Sequence, residues 1–313
     1  MTAEPLRIFI GTEDNQVVAH RVLEHSIRAH ASIPVAITPM LNLPMPTPVK
    51  PENRARVGFS FTRFKIPELC GYQGRALYVD ADMLVFGDVA ELAAIPFDGK
   101  KLLCTYQTEL PSLWADKHTF RPGRNVAVML LDCSRLDWKA DDIVNGLDKG
   151  RYTYEQLVYD QCLVPPDEIA DTIPVEWNHL ERYEHGRTRL LHFTVVRTQP
   201  WKNNRNPLGH LWLGAYAKAV QDGAVPPEEV EKAVAAGDVK PSLAQLLELV
   251  PGRPQPASLP DAHRDLALAK VKIADLERRI EALMTSSSWK VGSKLTGIAG
   301  KLKPKLSRTR SGP

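Results

Sequence analysis

The opening run of the chain constrains the fold more than any other stretch. Leu6-Arg7-Ile8-Phe9-Ile10 has the composition of a strand, and Gly11-Thr12-Glu13-Asp14-Asn15 interrupts it. Val17, Val18, Val22, Leu23 and Ile27 then recur at helical spacing to about Ala31, and Pro34 to Thr38 reads as a second strand. Strand, loop, helix, strand is the start of a doubly wound α/β sheet, in which ligands gather at the carboxyl ends of the strands. The acidic loop falls at such an end. It can hold a ribose or a base edge, or it can be a helix N-cap with favourable charge.

Ala76 to Val79 has the length and apolar character of a buried strand and runs into Asp80-Ala81-Asp82. If the chain stays extended through Asp82, both carboxylates share one face, because side chains alternate with period two. Two carboxylates held together repel unless a cation lies between them, and oxygen ligands suit a hard divalent ion such as Mg²⁺ or Mn²⁺. The alternative is a strand-end turn with two solvated aspartates.

Between these pieces, Leu41 to Glu52 is Pro-rich and loop-like. Phe59 to Leu69 reads as a helix whose Arg63 and Lys65 face either phosphate or solvent. Further strands are expected at Leu102–Tyr106 and Asn125–Asp132, separated by a loop, Leu110 to Arg124, long enough to cover a site. Trp138 to Gly150 and Tyr154 to Leu163 read as helices, the second carrying Asp160-Gln161. Ile173–Asn178 and Arg189–Phe193 are strand-like. His192 ends the latter run as Asp80 ends its own, and reads as either a packed histidine or a ligand. Leu211–Val220 and Leu243–Leu249 are helical.

The formal charge of +3 over 313 residues is too small to argue for nucleic acid. Four dispersed cysteines, Cys70, Cys104, Cys133 and Cys162, form no C-x-x-C pair. Residues 1–7 hold no signal-peptide core and no stretch is apolar for long enough to span a bilayer, so a cytoplasmic protein is expected. Residues 251–261 form a Pro-rich linker. In 262–284, Leu266, Ala269, Ile273, Leu276, Ile280 and Leu283 make an a/d seam, which reads as a short coiled coil that would pair copies of the chain, or as one amphipathic helix on the body. The tail, 285–313, carries Trp289 and seven Lys or Arg residues with no acidic one. It reads as an amphipathic helix for an anionic membrane at the inner face, or as a disordered basic tail.

Taken in order, these pieces resemble the GT-A glycosyltransferases of family GT8, the group with glycogenin and bacterial lipopolysaccharide galactosyltransferases. The matching pieces are Ile8 to Asn15, Thr62 to Leu69, Leu77 to Val85, Asn125 to Leu131, Asp160-Gln161, and His192-Phe193-Thr194 to Gln199-Pro200-Trp201. The resemblance implies a GT-A, Rossmann-like mixed α/β sheet flanked by helices over residues 1–220, then a helical segment at 221–250 and the helical or coiled-coil extension beyond. Asp80, Asp82 and His192 would bind Mn²⁺ or Mg²⁺. Thr12, Glu13 and Asn15 would hold the uridine of a UDP-sugar, Arg63, Ala81, Asn125 and Trp201 would line the donor, and Asp160 and Gln161 would flank the anomeric carbon. The family usually has Gly and Lys between the metal histidine and Pro-Trp. Here that stretch is Thr194 to Gln199, so Arg197 or Lys202 would replace the diphosphate lysine, Arg197 being preferred. Gln16 stands where a Tyr often follows the first loop, and Glu13 replaces the usual Asp.

The implied activity is retaining transfer of a hexose from a UDP-sugar to a glycan or lipid-linked acceptor in cell-surface polysaccharide synthesis. Two other classes compete. A nucleotidyltransferase would open with a Gly-rich basic phosphate loop, whereas Gly11 to Asn15 is acidic. A non-catalytic membrane-associated scaffold would not need Asp80, Asp82 and His192 together.

Overall fold

A computed structural model of the chain describes residues 4–108 and 122–249. The linker, coil and tail expected at 251–261, 262–284 and 285–313, and most of the expected covering loop, lie outside the described residues.

The strands are β1 (Leu6–Gly11), β2 (Val35–Pro39), β3 (Arg75–Asp80), β4 (Met83–Val85), β5 (Leu102–Gln107), β6 (Gly123–Asp132), β7 (Ile169–Ala170), β8 (His179–Leu180) and β9 (Leu190–His192). The helices are α1 (Val17–His30), α2 (Pro51–Thr62), α3 (Ile66–Leu69), α4 (Ala90–Ala93), α5 (Ala140–Asp148), α6 (Tyr154–Val158), α7 (Gly209–Gln221), α8 (Pro227–Ala236) and α9 (Ser242–Leu249).

Six strands form one mixed sheet in the order β2-β1-β3-β6-β5-β7. β6 runs antiparallel to β3 and β5, and the other neighbouring pairs are parallel. The carboxyl ends of β1, β3, β5 and β7 and the amino end of β6 therefore meet at one edge. Alternation along the strands covers both faces: Phe9, Ala76, Tyr78, Met129 and Leu131 join one apolar cluster, while Ile8, Ile10, Leu77, Val79, Val128 and Leu130 join the other. This is the helix-flanked α/β sheet that the resemblance implies.

The expectation of a chain extended through Asp82 is corrected. β3 stops at Asp80, the chain bends at Ala81-Asp82, and β4 enters a second, three-stranded sheet ordered β4-β9-β8. The Ala81 N–H donates to the Gly11 carbonyl at 2.9 Å, which ties the bend to the end of β1. Met83 pairs with His192 across β4 and β9, and the Phe193 N–H donates to the Asp82 carbonyl at 2.8 Å. The bend thus delivers both carboxylates to the strand that carries the histidine.

Other boundaries also move. α2 starts at Pro51, inside the expected loop, because proline suits the first turn of a helix. Gly123 and Arg124 belong to β6 and not to the covering loop. The expected strand at Ile173–Asn178 is a 3₁₀ turn over Val175–Asn178 followed by β8. The segment 221–250 carries α8 and α9, whose Val230 and Leu243 pack in one cluster with Val18, Trp201 and Trp212. Among the described residues, no helix is long and apolar enough to cross a membrane.

Candidate metal and donor site

A cavity of about 610 Å³ opens at the shared strand edge. Arg63, Asp80, Asp82, Asn125, Asp160 and His192 all line it. One ligand atom from each of Asp80, Asp82 and His192 lies within 4.8 Å of the others.

Each of the three is held by neighbours. The Tyr78 hydroxyl donates to Asp80 Oδ1 at 2.6 Å and accepts from Arg63 Nη2 at 3.0 Å. Arg63 also donates from Nη1 to the Val126 carbonyl at 3.2 Å, and its Nη2 lies 3.6 Å from Asp80 Oδ1. Gly11 is required here: a Cβ on it would lie 2.1 Å from the Tyr78 hydroxyl. Gln199 Nε2 donates to Asp82 Oδ2 at 3.0 Å and to the Phe193 carbonyl at 3.1 Å. His192 Nδ1 donates to Asn178 Oδ1 at 2.9 Å, while its Nε2 lies 3.1 Å from Asp82 Oδ1. Asn178 Nδ2 donates in turn to Asn125 Oδ1 at 2.9 Å and to Thr105 Oγ1 at 3.1 Å.

This arrangement fits a divalent cation. Asn178 occupies the Nδ1 proton, so Nε2 is the nitrogen that faces the carboxylates, and second partners of this kind orient metal-binding histidines. Burial pushes the Asp80 carboxyl above its ordinary value, with Arg63 opposing and Asp82 adding to the rise. Burial pulls His192 down, but Asp82, Asp80 and Glu181 outweigh it and hold the imidazole above its usual range. Both directions describe a buried carboxylate cluster that Arg63 neutralises only in part, a place where a cation would be favoured.

Glu13 lines an adjoining cavity of about 410 Å³ together with Gly58, Phe59, Ser60, Tyr154 and Tyr159. The remaining expected residues are placed elsewhere. Thr12 is buried, and its hydroxyl meets His20 Nδ1 at 3.2 Å. Asn15 is exposed in a 3₁₀ turn, and Ala81 is buried in the core, neither on a cavity wall. Trp201 is 0% exposed, packs against Trp212 with ring centroids 5.3 Å apart, and is on neither cavity wall. Arg197 is exposed and Lys202 half-buried, and neither is on the cavity wall.

The expected helix Tyr154–Leu163 ends early, at Val158. Thr153 and Gln156 form a capping box at its start, and Gln161, at φ +53°, donates from Nε2 to the Leu157 and Val158 carbonyls at 3.1 and 2.9 Å. Gln161 caps the helix, and Asp160 is the member of the pair on the cavity wall.

Tyr78, Asn178 and Gln199 were not singled out as site residues by the sequence. Tyr78 had a signal, since it stands two residues before Asp80 on one strand and so shares its face. Gln199 lies in the matching piece that ends Gln199-Pro200-Trp201, and Asn178 had no signal beyond its polarity.

Known proteins with detectable similarity to this chain fall in one group. Residues 47–129, which include Arg63, Asp80, Asp82 and Asn125, match the sequence model of Glycosyl transferase family 8. Protein CDI of Arabidopsis thaliana is 29% identical over 219 residues, an alignment covering 63% of this chain and 80% of that protein. Among solved structures, the galactosyltransferase LgtC, in complex with donor and acceptor sugar analogues, is 14% identical at a TM-score of 0.48, covering 68% of this chain and 96% of that one. The bifunctional glycosyltransferase WbbM is 12% identical at 0.48, and GlyE of Streptococcus pneumoniae TIGR4 is 14% identical at 0.47. The matches cover 74% and 76% of this chain; it spans 52% of the WbbM chain and 65% of the GlyE chain.

Proposed function

We propose that this chain, which carries a glycosyl transferase family 8 segment, is a metal-dependent retaining glycosyltransferase that moves a hexose from a UDP-sugar to a glycan or lipid-linked acceptor in cell-surface polysaccharide synthesis. The observation that carries the reading is the convergence of Asp80, Asp82 and His192, each held by a buried partner, on the wall of the cavity. Mn²⁺ or Mg²⁺ held by these residues would stabilise the charge that the leaving diphosphate gains as the glycosidic bond breaks.

The chain's own groups take the other roles. Arg63 adds fixed positive charge beside Asp80, on the wall where the diphosphate would lie. The adjoining cavity beside Glu13 receives the nucleoside, with Phe59 and Tyr154 as its aromatic wall. Asp160 faces the cavity and stabilises the electron-poor anomeric carbon, and Gln161 serves it by fixing the end of α6. The residues at 262–284 pair copies of the chain, and the basic residues at 285–313 hold it at an anionic membrane face near its acceptor.

A screen of nucleotide sugars for Mn²⁺-dependent hydrolysis tests donor and activity together. Release of UDP from at least one UDP-hexose, lost with chelator, is the expected result. Turnover indifferent to the cation would remove the reading.

A further inference from the structure

The donor groups occupy only part of the strand edge. Resting on the glycosyltransferase reading, we infer that the far end of the cavity, at β5, β6 and β7, is a subsite for a pyranose ring of the acceptor, built by Tyr106, Arg124 and Asp171. All three line the cavity. Tyr106 on β5 pairs in register with Arg124 on β6, and Asp171 follows β7, whose Ala170 pairs with Leu103 of β5.

The three side chains are half-committed in a way that leaves complementary surface. Asp171 Oδ1 accepts from Arg124 Nε at 2.9 Å and from the Cys104 thiol at 3.2 Å. Among the described residues, nothing hydrogen-bonds Asp171 Oδ2 or the two Nη groups of Arg124. Tyr106 is 50% exposed, large for an aromatic ring on an inner strand of the sheet.

A pyranose has a flat C–H face and a rim of hydroxyls. An aromatic ring packs against the first, and a carboxylate oxygen beside a planar guanidinium offers acceptor and donors to neighbouring hydroxyls. The charges decide between ligands. Asp171 neutralises Arg124, so an anionic headgroup or phosphate finds no net positive charge here, while the neutral, hydroxyl-rich sugar uses both groups. Position agrees. Asp80 on β3 and Tyr106 on β5 are two strand steps apart, about 10 Å at ~4.8 Å per step, which leaves the transferred sugar between the cation and the acceptor ring.

The test is saturation-transfer NMR of the full chain with millimolar methyl α- and β-glycosides of glucose, galactose and mannose. UDP–Mn²⁺ binding is measured by calorimetry on the same samples. Tyr106→Ala and Tyr106→Phe are compared with the unaltered protein, and the exposed position leaves the core intact. At least one glycoside should receive saturation in the unaltered protein and in Tyr106→Phe, with at least about fivefold less in Tyr106→Ala. UDP–Mn²⁺ binding should be equal in all three. No glycoside binding, or equal binding in Tyr106→Ala, overturns the subsite. Absence of UDP–Mn²⁺ binding overturns the donor reading instead, so the two failures are told apart.

Discussion

The corner between β3 and β4 and the segment 194–206 both follow buried strands, yet the corner's side chains converge on the cavity while the segment contributes only Gln199 and Thr194 to it. Asp80, Asp82 and His192 each accept or donate through a buried neighbour: Tyr78, Gln199 and Asn178. Most of the segment is anchored away from the cavity. Glu181 accepts from the Val195 N–H and from Asn206 Nδ2, both at 2.9 Å, and Lys240 Nζ donates to Asn204 Oδ1 at 2.6 Å. Burial raises the Glu181 carboxyl and lowers Lys240 to about 8, so these anchors sit in dry surroundings. Gln199 and Thr194 reach the corner or the cavity wall, while Arg197 and Lys202 do not. A site residue needs a rigid element to aim it; a charge at the right sequence distance is insufficient.

The largest effect belongs to the corner. Asp82→Asn should lower sugar transfer by about 1000-fold while leaving the thermal midpoint within a few degrees, read by product mass spectrometry and circular dichroism. A variant with a tenth of the normal rate or more would place the chemistry elsewhere.

A second effect tests the β1 loop, where Thr12 was expected to meet the nucleoside and instead meets His20. Burial, followed by the Arg21 charge, lowers the His20 pKa to about 4 from 6.5. The folded value is the lower one, so the unfolded chain binds the extra proton. Stability is intact above pH 6.5 and falls as pH drops from 6.5 towards 4, by up to about 3 kcal/mol. Urea titrations across that window should show the fall, and His20→Gln should flatten it. A slope unchanged by the substitution would assign acid sensitivity to other groups.

A third effect is intermediate. Asn178→Ala frees the His192 ring and should weaken Mn²⁺ binding by about 10–100-fold, measured by electron paramagnetic resonance. Unchanged affinity would mean that the ring is oriented by packing alone. The smallest effect is expected in the segment: Arg197→Ala should change the donor KM by less than about threefold. A tenfold rise would show that the segment closes over the donor when it binds, and would erase the contrast with the corner.

Much of this was legible in the sequence because it depends on local pattern. The apolar runs of β1, β3 and β6 and the helical spacing of α1 mark the sheet, Asp80 and His192 each end an apolar run, and Asp82 follows two residues after Asp80. The bend at Ala81-Asp82 was not legible, because the ladder with β9 that redirects β4 joins residues more than a hundred positions apart. The same holds for Asn178 and Gln199, whose partners are fixed by the second sheet. Trp201 lies in a matching motif, and only the fold shows that its indole is buried against Trp212. Gln161 reads as half of a chemical pair, yet its left-handed backbone and its bonds to Leu157 and Val158 make it a helix cap.

The proposed chemistry depends above all on one divalent cation held by Asp80, Asp82 and His192. The most direct measurement is the anomalous difference density of a crystal grown with UDP and Mn²⁺. One strong peak is expected within coordination distance of both carboxylates and His192 Nε2. A peak elsewhere, or UDP bound with no peak between these three, would contradict it.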